Sequence, residues 1–334
     1  MKTYSILILT DHRVHKASNP VYSLVPSLRQ HPQCAFVDVA SRGNAANTPF
    51  FQDYVSNQLE CLRVSEVFAY QADGQQFVET DYVRSIQDYD VILMRLARPV
   101  STAFMEYLAE QAPQAIFINH PLGIEKTSSK AYLLHFPDLC PPMALCHSVE
   151  EILRFAERFP IVLKPLKEYG GKGILKLEDG IIYDGDEQYI AYDYLRENAA
   201  FIEQNAYLAM KFLPNVRQGD KRILVVGGEI LGASLRMPPP DSWICNVAMG
   251  GDAVPAEPTS EEIAIIETIS HVLLEEGILI FGADTLVDDE GKRVLSEINT
   301  LSVGGFKDIQ AQTQKPVLAT TIQKIFDYIN HAKN

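Results

Sequence analysis

The chain lacks the cysteine pattern of a stapled or metal-bound fold. Its five cysteines (Cys34, Cys61, Cys140, Cys146 and Cys245) are an odd, scattered set with no CxxC. Neither a disulfide framework nor a zinc site is expected, and the thiols are read as reduced. No stretch approaches the ~20 apolar residues of a membrane-spanning helix. The apolar run from Tyr4 to Thr10 is too short for a signal-peptide core, and Asp11-His12-Arg13 follows it, so it reads as a first strand. A basic surface is missing too. The net charge is −14 and the pI is near 5.0, which excludes a general nucleic-acid binder but not an anionic small ligand held by a local basic cluster. The eight histidines form no HExxH, and no GxSxG elbow appears, so covalent hydrolase chemistry has no support. No long polar tract marks extended disorder. The protein is expected to be soluble and cytoplasmic, without nucleic-acid or membrane partners.

What is present is an ordinary globular composition, 47% apolar and 22% charged over 334 residues, long enough for two or three domains. The first third alternates strand and helix signals. Ser5–Leu9, Ala35–Val39, Asp90–Met94 and Ala115–Asn119 read as strands. Val21–Arg29 and Ser101–Ala112 read as helices, the latter capped by Ser101. This alternation predicts an α/β domain over residues 1–120. In a second unit, 121–213, helices are expected at Thr127–Phe136, at 148–159 (cap Ser148, capping-box Glu151) and near Glu187–Glu203, with strands at 161–165, 174–177 and 206–212. A third unit, 214–334, holds a hairpin over Arg222–Arg236 turning at Gly227-Gly228. After it come a Pro- and Gly-rich loop from Met237 to Pro258, a helix from Thr259 to Glu276 and a closing helix from Pro316 to His331.

The chemistry-bearing residues gather in the second and third units. Asp284 ends the apolar run Gly277–Asp284, Asp288-Asp289-Glu290-Gly291 reads as a turn, and Arg293–Asn299 as the returning strand. Alternation puts Glu297 and Asn299 on one face, and the hairpin brings Asp284 close. Three hard oxygen donors suit magnesium, which usually keeps waters and substrate phosphates as its other ligands; the alternative is a hairpin with ordinary polar ends. Lys164 ends an apolar strand before Gly170-Gly171-Lys172-Gly173, where glycines let backbone N–H groups approach phosphate oxygens. The pattern is neither a Walker loop nor a Rossmann fingerprint, and the alternative is a plain hairpin turn. Arg222 and Arg236 close the two ends of a hairpin and are suited to grip carboxylate or phosphate, whereas Lys221 reads as a solvated strand terminus. Gly250-Gly251 and Asn246 lie in a long loop, either a lid or an irregular connection. Arg95 follows a strand at the edge where open α/β sheets bind ligands, or is a surface arginine. Lys130, alone, passes as a solvated lysine.

Together these residues resemble the ATP-grasp family, and within it the bacterial glutathione synthetases. The resemblance is carried by Val91–Arg95, Ile161–Leu166 with Gly170–Ile174, Gly219–Val226, Asn246–Gly251, Phe281–Asp284 and Glu297–Asn299, in family order from about residue 90 to 305. It implies an α/β (α+β) ATP-grasp fold behind an N-terminal open parallel-sheet domain. It also implies roles. Lys130 and Lys164 would hold ATP phosphates, and Gly170, Gly171, Lys172 and Gly173 would form the flexible phosphate loop. Met210, Lys211, Phe212 and Leu213 would link the lobes and bond adenine through their backbone, with Asp220 also on the nucleotide side. Arg222 and Arg236 would face the transferring phosphoryl group. Asp284, Glu297 and Asn299 would hold two magnesium ions, with manganese as a substitute, Glu297 bridging. Arg95 would contact the acceptor carboxylate, with Asn246, Gly250, Gly251, Ser302, Gly304 and Gly305 on the substrate side. ATP would phosphorylate a carboxylate, and an amine would displace the phosphate. By the same resemblance the chain is expected to form a homo-oligomer.

Three segments depart from the family pattern. Leu96-Ala97-Arg98-Pro99 stands where bacterial glutathione synthetases usually have Lys-Asp-Pro-Pro. Thr300–Gly305 reads Thr-Leu-Ser-Val-Gly-Gly instead of Val-Thr-Ser-Pro, and Met210-Lys211-Phe212-Leu213 replaces Gln-Asn/Glu-Tyr/Phe-Leu. Two of the three lie on the substrate side. Besides γ-glutamylcysteine with glycine, the expectations therefore include a same-fold ligase with another amino-acid or peptide acceptor, a non-catalytic ATP-binding protein, and an interaction protein with a vestigial site. The retained acidic and arginine set argues against the last two.

Overall fold

In the computed structural model, which describes residues 2–80, 82–168, 171–239, 243 and 253–332, three large sheets follow one another along the chain. The first has the order Leu62–Arg63, Cys34–Ser41, Tyr4–Thr10, Val91–Arg95, Ile116–Ile118. All its pairs are parallel except the outermost one, with Leu62–Arg63. Tyr4–Thr10 is buried along its whole length, as a central strand covered on both faces must be. The second sheet is antiparallel, in the order Glu187–Ile190, Ile181–Asp184, Leu175–Glu178, Ile161–Pro165, Tyr207–Lys211, Met143–Cys146. The third, also antiparallel, runs Ala253–Ala256, Glu229–Arg236, Asp220–Val226, Ile280–Val287, Arg293–Asn299. Among the described residues no helix is long and apolar enough to cross a membrane.

The first and third sheets share their cores. Tyr4, Ile8 and Leu24 pack in one apolar cluster with Leu224, Leu279 and, from the last helix (Val317–Ala332), Phe326 and Ile329. The second sheet keeps a separate core around Ile152, Leu163, Leu195 and Ile202. Asn119, just past the last parallel strand, joins the first sheet to the third. Its amide nitrogen donates to the carbonyls of Ile280 (2.6 Å) and Thr300 (2.7 Å), and its oxygen accepts from the N–H groups of Leu279 and Ile280, both at 2.8 Å. Every hydrogen-bonding position of the carboxamide is used, and both strands of the acidic hairpin are fixed against the N-terminal sheet. Gly123 makes a second tight junction. A Cβ there would lie 1.9 Å from the Glu276 carbonyl oxygen, so only glycine lets the helix Pro121–Thr127 sit against the end of Ser260–Glu275.

The predicted helices at Val21–Arg29 and after Ser101, Ser148 and Thr259 form. Four expectations are corrected. Thr127–Phe136 is not one helix: Pro121–Thr127 is helical, and a 3-10 turn, Lys130–His135, starts afresh where Ser129 caps Ala131 N–H. Glu187–Glu203 begins as a strand, because the turn at Gly185 (φ 60°) folds Glu187–Ile190 back onto Ile181–Asp184 before two short helices. Glu151 does not close a capping box, since its carboxylate accepts from His147 N–H at 2.7 Å. Part of the Met237–Pro258 loop, Ala253–Ala256, is an edge strand on Glu229–Arg236.

At the carboxyl edge of the first sheet, His15 is buried between Thr10 and Tyr22. Its Nε2 lies 2.8 Å from Thr10 Oγ1 and its Nδ1 2.8 Å from Tyr22 Oη. Burial, with His12 beside it, pulls its pKa down from 6.5 to about 4. The folded state thus binds fewer protons than the unfolded state between these values. The stabilisation is complete above pH 6.5 and drains away as pH falls toward 4. Urea titrations across that window are expected to show about 2 kcal/mol of loss that His15→Gln removes. An identical pH profile for the variant would sink this assignment.

Candidate active site

The acidic hairpin forms in register. Asp284 pairs with Glu297 on one side and with Arg222 on the other, while Asp220 pairs with Arg236. A charged row therefore crosses three adjacent strands. The Asp284 carboxylate is buried and held by both arginines. Arg222 donates through Nε and, at 2.7 Å, through Nη2, and Arg236 Nη2 lies 2.9 Å away. Burial alone would raise its pKa, but the two guanidinium groups outweigh that and hold it down near 2. Asp220 moves the other way, because burial and the Asp284 charge raise it. Asn299 is best placed with its amide oxygen 3.1 Å from Arg222 Nη2 and its nitrogen 3.3 Å from Glu297 Oε1.

These residues line a cavity of about 230 Å³. Its charged wall is Lys164, Asp220, Arg222, Arg236, Asp284, Glu297 and Asn299. Its apolar wall includes Val162, Ile174, Met210, Phe212, Leu213, Val216 and Leu286, with Lys211 and Gly171 alongside. Trp243 lines it too and stands edge-on to Phe212, ring centroids 5.9 Å apart. Lys164 Nζ donates to the Ser296 carbonyl at 3.1 Å, tying the second sheet to the acidic hairpin. Lys130 is buried; its N–H donates to Leu166 O and its Nζ to Glu168 O, so it grips the approach to the glycine loop. Burial lowers its pKa, and the nearby Glu297 opposes that.

Most of the residues singled out from sequence thus converge on one cavity. The hinge adds a restriction. The N–H groups of Lys211 and Phe212 are already engaged, at 2.8 Å, by the carbonyls of Pro142 and Pro160, which leaves a base only the remaining backbone groups of that segment. Lys172 and Gly173 are exposed and do not line the cavity. Gly170, Asn246, Gly250 and Gly251 lie outside the described residues. Arg95 and the segment after Asn299 meet at a separate point. Arg95 is buried, Nη2 donates to Val303 O at 2.8 Å, and Ser302 Oγ donates to Leu96 O at 2.6 Å. Gly304 follows, and Gly305 caps the helix Phe306–Thr313 at φ 93°. Burial lowers the Arg95 pKa to about 10, and its Nε has no hydrogen-bond partner among the described residues.

The donor set fits magnesium: two carboxylates and an amide oxygen on one sheet face, beside cationic groups suited to phosphate. Two buried atoms at the cavity, Arg236 Nε and Asp220 Oδ1, have no partner among the described residues, as expected where a polar ligand completes a site. The described residues contain no cluster of three His, Cys, Asp or Glu side chains, so the chain's own ligands would not complete a cage.

Residues 129–314 match the family described as the prokaryotic glutathione synthetase ATP-grasp domain. A glutathione synthetase from Rhodopseudomonas palustris is 30% identical over 77% of this chain and 78% of its own. The chain belongs to the prokaryotic glutathione synthetase family. Another member, a glutathione synthetase from Prochlorococcus marinus strain MIT 9313, is 29% identical over 92% of this chain and 96% of its own. Among solved structures, the D-cycloserine synthetase DcsG superposes with a TM-score of 0.66 at 12% identity, covering 97% of this chain and 99% of its own. A RiPP-associated ATP-grasp ligase from Chryseobacterium gregarium, solved with ADP and a leader and core peptide, gives 0.62 at 16%, covering 98% and 97%. These two establish the ATP-grasp fold that the sequence resemblance implied.

Several lining residues were not picked out from sequence. Val162 lies two residues before Lys164 and Leu286 two after Asp284, so strand alternation carried the signal. Val216 sits in a 3-10 turn, Pro214–Gln218, and had none. Ser296 reaches the cavity because it is the extra, unpaired residue of a bulge, Asp284 pairing with Glu297 and Thr285 with Leu295, which local sequence does not announce.

Proposed function

We propose that this chain is an ATP-dependent carboxylate–amine ligase that makes glutathione from γ-glutamylcysteine and glycine through an acyl phosphate. The observation that carries the reading is the row Arg222–Asp284–Glu297, with Arg236, on the wall of the same cavity as Lys164 and the hinge Met210–Leu213. A catalyst of phosphoryl transfer needs little besides positioning and fixed charge around the moving group, and this wall supplies both.

The γ-phosphoryl group passes from ATP to a carboxylate oxygen of the acceptor, leaving ADP. The amine nitrogen then attacks the carbonyl carbon, the C–O bond to phosphate breaks, and the nitrogen loses a proton as the amide forms. Lys130 and Lys164 orient the phosphates. Arg222 and Arg236 face the charge that develops on the transferred group, with the unpartnered Nε of Arg236 available to it. The apolar wall takes the base. Asp284, Glu297 and Asn299 would hold two magnesium ions, or manganese in their place. When bound, the metal neutralises phosphate charge and polarises the transferring phosphoryl group. Arg95 receives the acceptor carboxylate, since a buried guanidinium with an unused N–H favours an anion.

Purified protein with magnesium, ATP, γ-glutamylcysteine and glycine is expected to release ADP, phosphate and glutathione. Phosphate release only with other acid–amine pairs would move the reading to a same-fold ligase with another acceptor, which the departures at Leu96–Pro99 and Thr300–Gly305 favour. Substrate-independent ATP binding without release would sink the enzyme reading. Nucleotide binding has its own reporter, because Trp243 is the only tryptophan and lines the cavity. Magnesium-ADP is expected to change its emission saturably. Unchanged emission at an ADP concentration shown by calorimetry to saturate the protein would rule out this placement of Trp243.

A further inference from the structure

Three of the oxygen atoms assigned to magnesium are bonded to the chain's own cations. The Arg222 fork spans both oxygens of Asp284, through Nε to Oδ1 and through Nη2 to Oδ2 at 2.7 Å. The same Nη2 lies 3.1 Å from the Asn299 amide oxygen. Arg236 Nη2 makes a further contact with Asp284, at 2.9 Å. A carboxylate offers about four lone-pair positions, so guanidinium groups take three of those on Asp284, whose side chain is only 4% exposed. Arg222 thus holds two of the three proposed metal donors at once. It sits on them as a cation, and a magnesium ion brought to the same oxygens would meet two positive groups at close range.

The fold makes room for this arrangement. Arg222 pairs with Asp284 on the neighbouring strand, and Asn299, one strand further, pairs with Gly282. Gly282 shares the face of Asp284, so the arginine crosses a position with no side chain on its way to Asn299. A Cβ at Gly282 would lie 2.9 Å from Arg222 Cδ and 3.4 Å from its Nε, and the arginine would have to move. The two arginines are not held alike. Arg236 is held a second time, by Asp220 at 2.5 Å, and is 15% exposed, whereas Arg222 is 26% exposed. Among the described residues every hydrogen bond of the Arg222 side chain goes to Asp284 or Asn299. Arg222 can therefore swing into the cavity without giving up a third partner.

We propose that in the free protein Arg222 is a placeholder for the metal: it neutralises the donor set until the phosphates of the nucleotide draw it away, so the site admits metal only together with nucleotide. The proposal rests on the magnesium assignment of the ligase reading and adds the condition under which the site fills. Phosphate offers Arg222 another bidentate partner and offsets the charge of an incoming ion. Asp284, buried as it is, then has a counter-charge both before and after the exchange.

Manganese is the probe, because electron paramagnetic resonance counts the free ion. Wild-type protein without nucleotide is expected to bind Mn2+ weakly. Arg222→Gln is expected to tighten that binding about ten-fold or more, within the usual scale of coupling between two groups that share a site. Mn2+ is also expected to raise the urea midpoint of this variant and to leave that of wild type in place. Adding Glu297→Gln to it is expected to return binding to the wild-type level, which puts the ion at these residues. Wild-type protein that binds Mn2+ as tightly as Arg222→Gln overturns the placeholder. So does a folded Arg222→Gln protein that binds as weakly as wild type, or a gain in binding that survives Glu297→Gln. Should Arg222→Gln fail to fold even with Mn2+, Gly282→Ala, which displaces the arginine without removing it, decides by the same criteria. Turnover separates this proposal from the reading beneath it. Glutathione formation by wild type keeps the ligase if the placeholder falls, and a Glu297-dependent gain in Mn2+ binding keeps the placeholder if no substrate pair releases phosphate.

Discussion

Glu297→Gln is expected to lower kcat about 1,000-fold while leaving the urea unfolding midpoint nearly unchanged. The side chain keeps its size and sits half-buried on the cavity wall, so packing changes little. What disappears is one of the two carboxylates of the Arg222–Asp284–Glu297 row on the cavity wall, a proposed magnesium ligand. Loss of one preorganised electrostatic group typically costs about 10²–10³ in rate. Asp284→Asn makes the contrast. Asp284 is buried and paired with two half-buried arginines, of which Arg236 also holds Asp220, so neutralising it leaves Arg222 short of a counter-charge and is expected to cost about 2 kcal/mol of stability as well as activity. Steady-state phosphate release and urea titration on both variants separate the cases. A Glu297→Gln enzyme with a normal rate would remove Glu297 from the metal assignment.

Local sequence revealed the site better than its surroundings. Alternation alone set Glu297 and Asn299 on one face, and the hairpin about Gly291 (φ 84°) brought Asp284 opposite. The glycine-flanked hairpin of Arg222 and Arg236 was legible for the same reason: period-two patterns with turn residues between them are short-range signals. The misread stretches are those where tertiary pairing outranks local preference. Glu187–Ile190 has no strong strand pattern and becomes a strand only because Ile181–Asp184 lies beside it. Nor could local pattern show that Asn119 clasps Ile280 and Thr300, more than 160 residues away. Arg95 lies between these cases. Its place at a strand end was readable, but its burial and its bond to Val303 depend on the third unit packing against the first.

A large stability effect is expected on the opposite face of the same sheet, at Lys221. It read as a solvated strand terminus, yet it is 5% exposed, and its Nζ donates to Glu262 at 2.7 Å and to the Glu257 carbonyl at 2.9 Å. Glu262 is wholly buried, accepts from Thr285 Oγ1, and closes the capping box by accepting from Thr259 N–H at 2.8 Å. Thr285 follows Asp284, and Arg222 follows Lys221, so the strands that present Arg222 and Asp284 to the cavity are anchored from their other face to the helix Ser260–Glu275. Lys221→Met removes the nearer cation and leaves a buried carboxylate with only Arg293 Nε, 3.9 Å away, as counter-charge, at an expected cost of about 3 kcal/mol. Adding Glu262→Gln to that variant removes the under-compensated charge; the amide oxygen can keep the bond from Thr259 N–H, and the amide nitrogen can donate to Thr285 Oγ1 once that hydroxyl turns. It is expected to restore about 1–2 kcal/mol. Recovery on a second substitution is what distinguishes an electrostatic cost from lost packing, because a further packing defect could only add to the loss. Urea midpoints at constant m value give the comparison. A Lys221→Met protein within about 1 kcal/mol of wild type would mean that water reaches the pair. Turnover adds a second check: the double variant, with its anchor neutral, is expected to keep kcat within about ten-fold of wild type, far above Glu297→Gln, because its changes lie on the face of the sheet away from the Arg222–Asp284–Glu297 row.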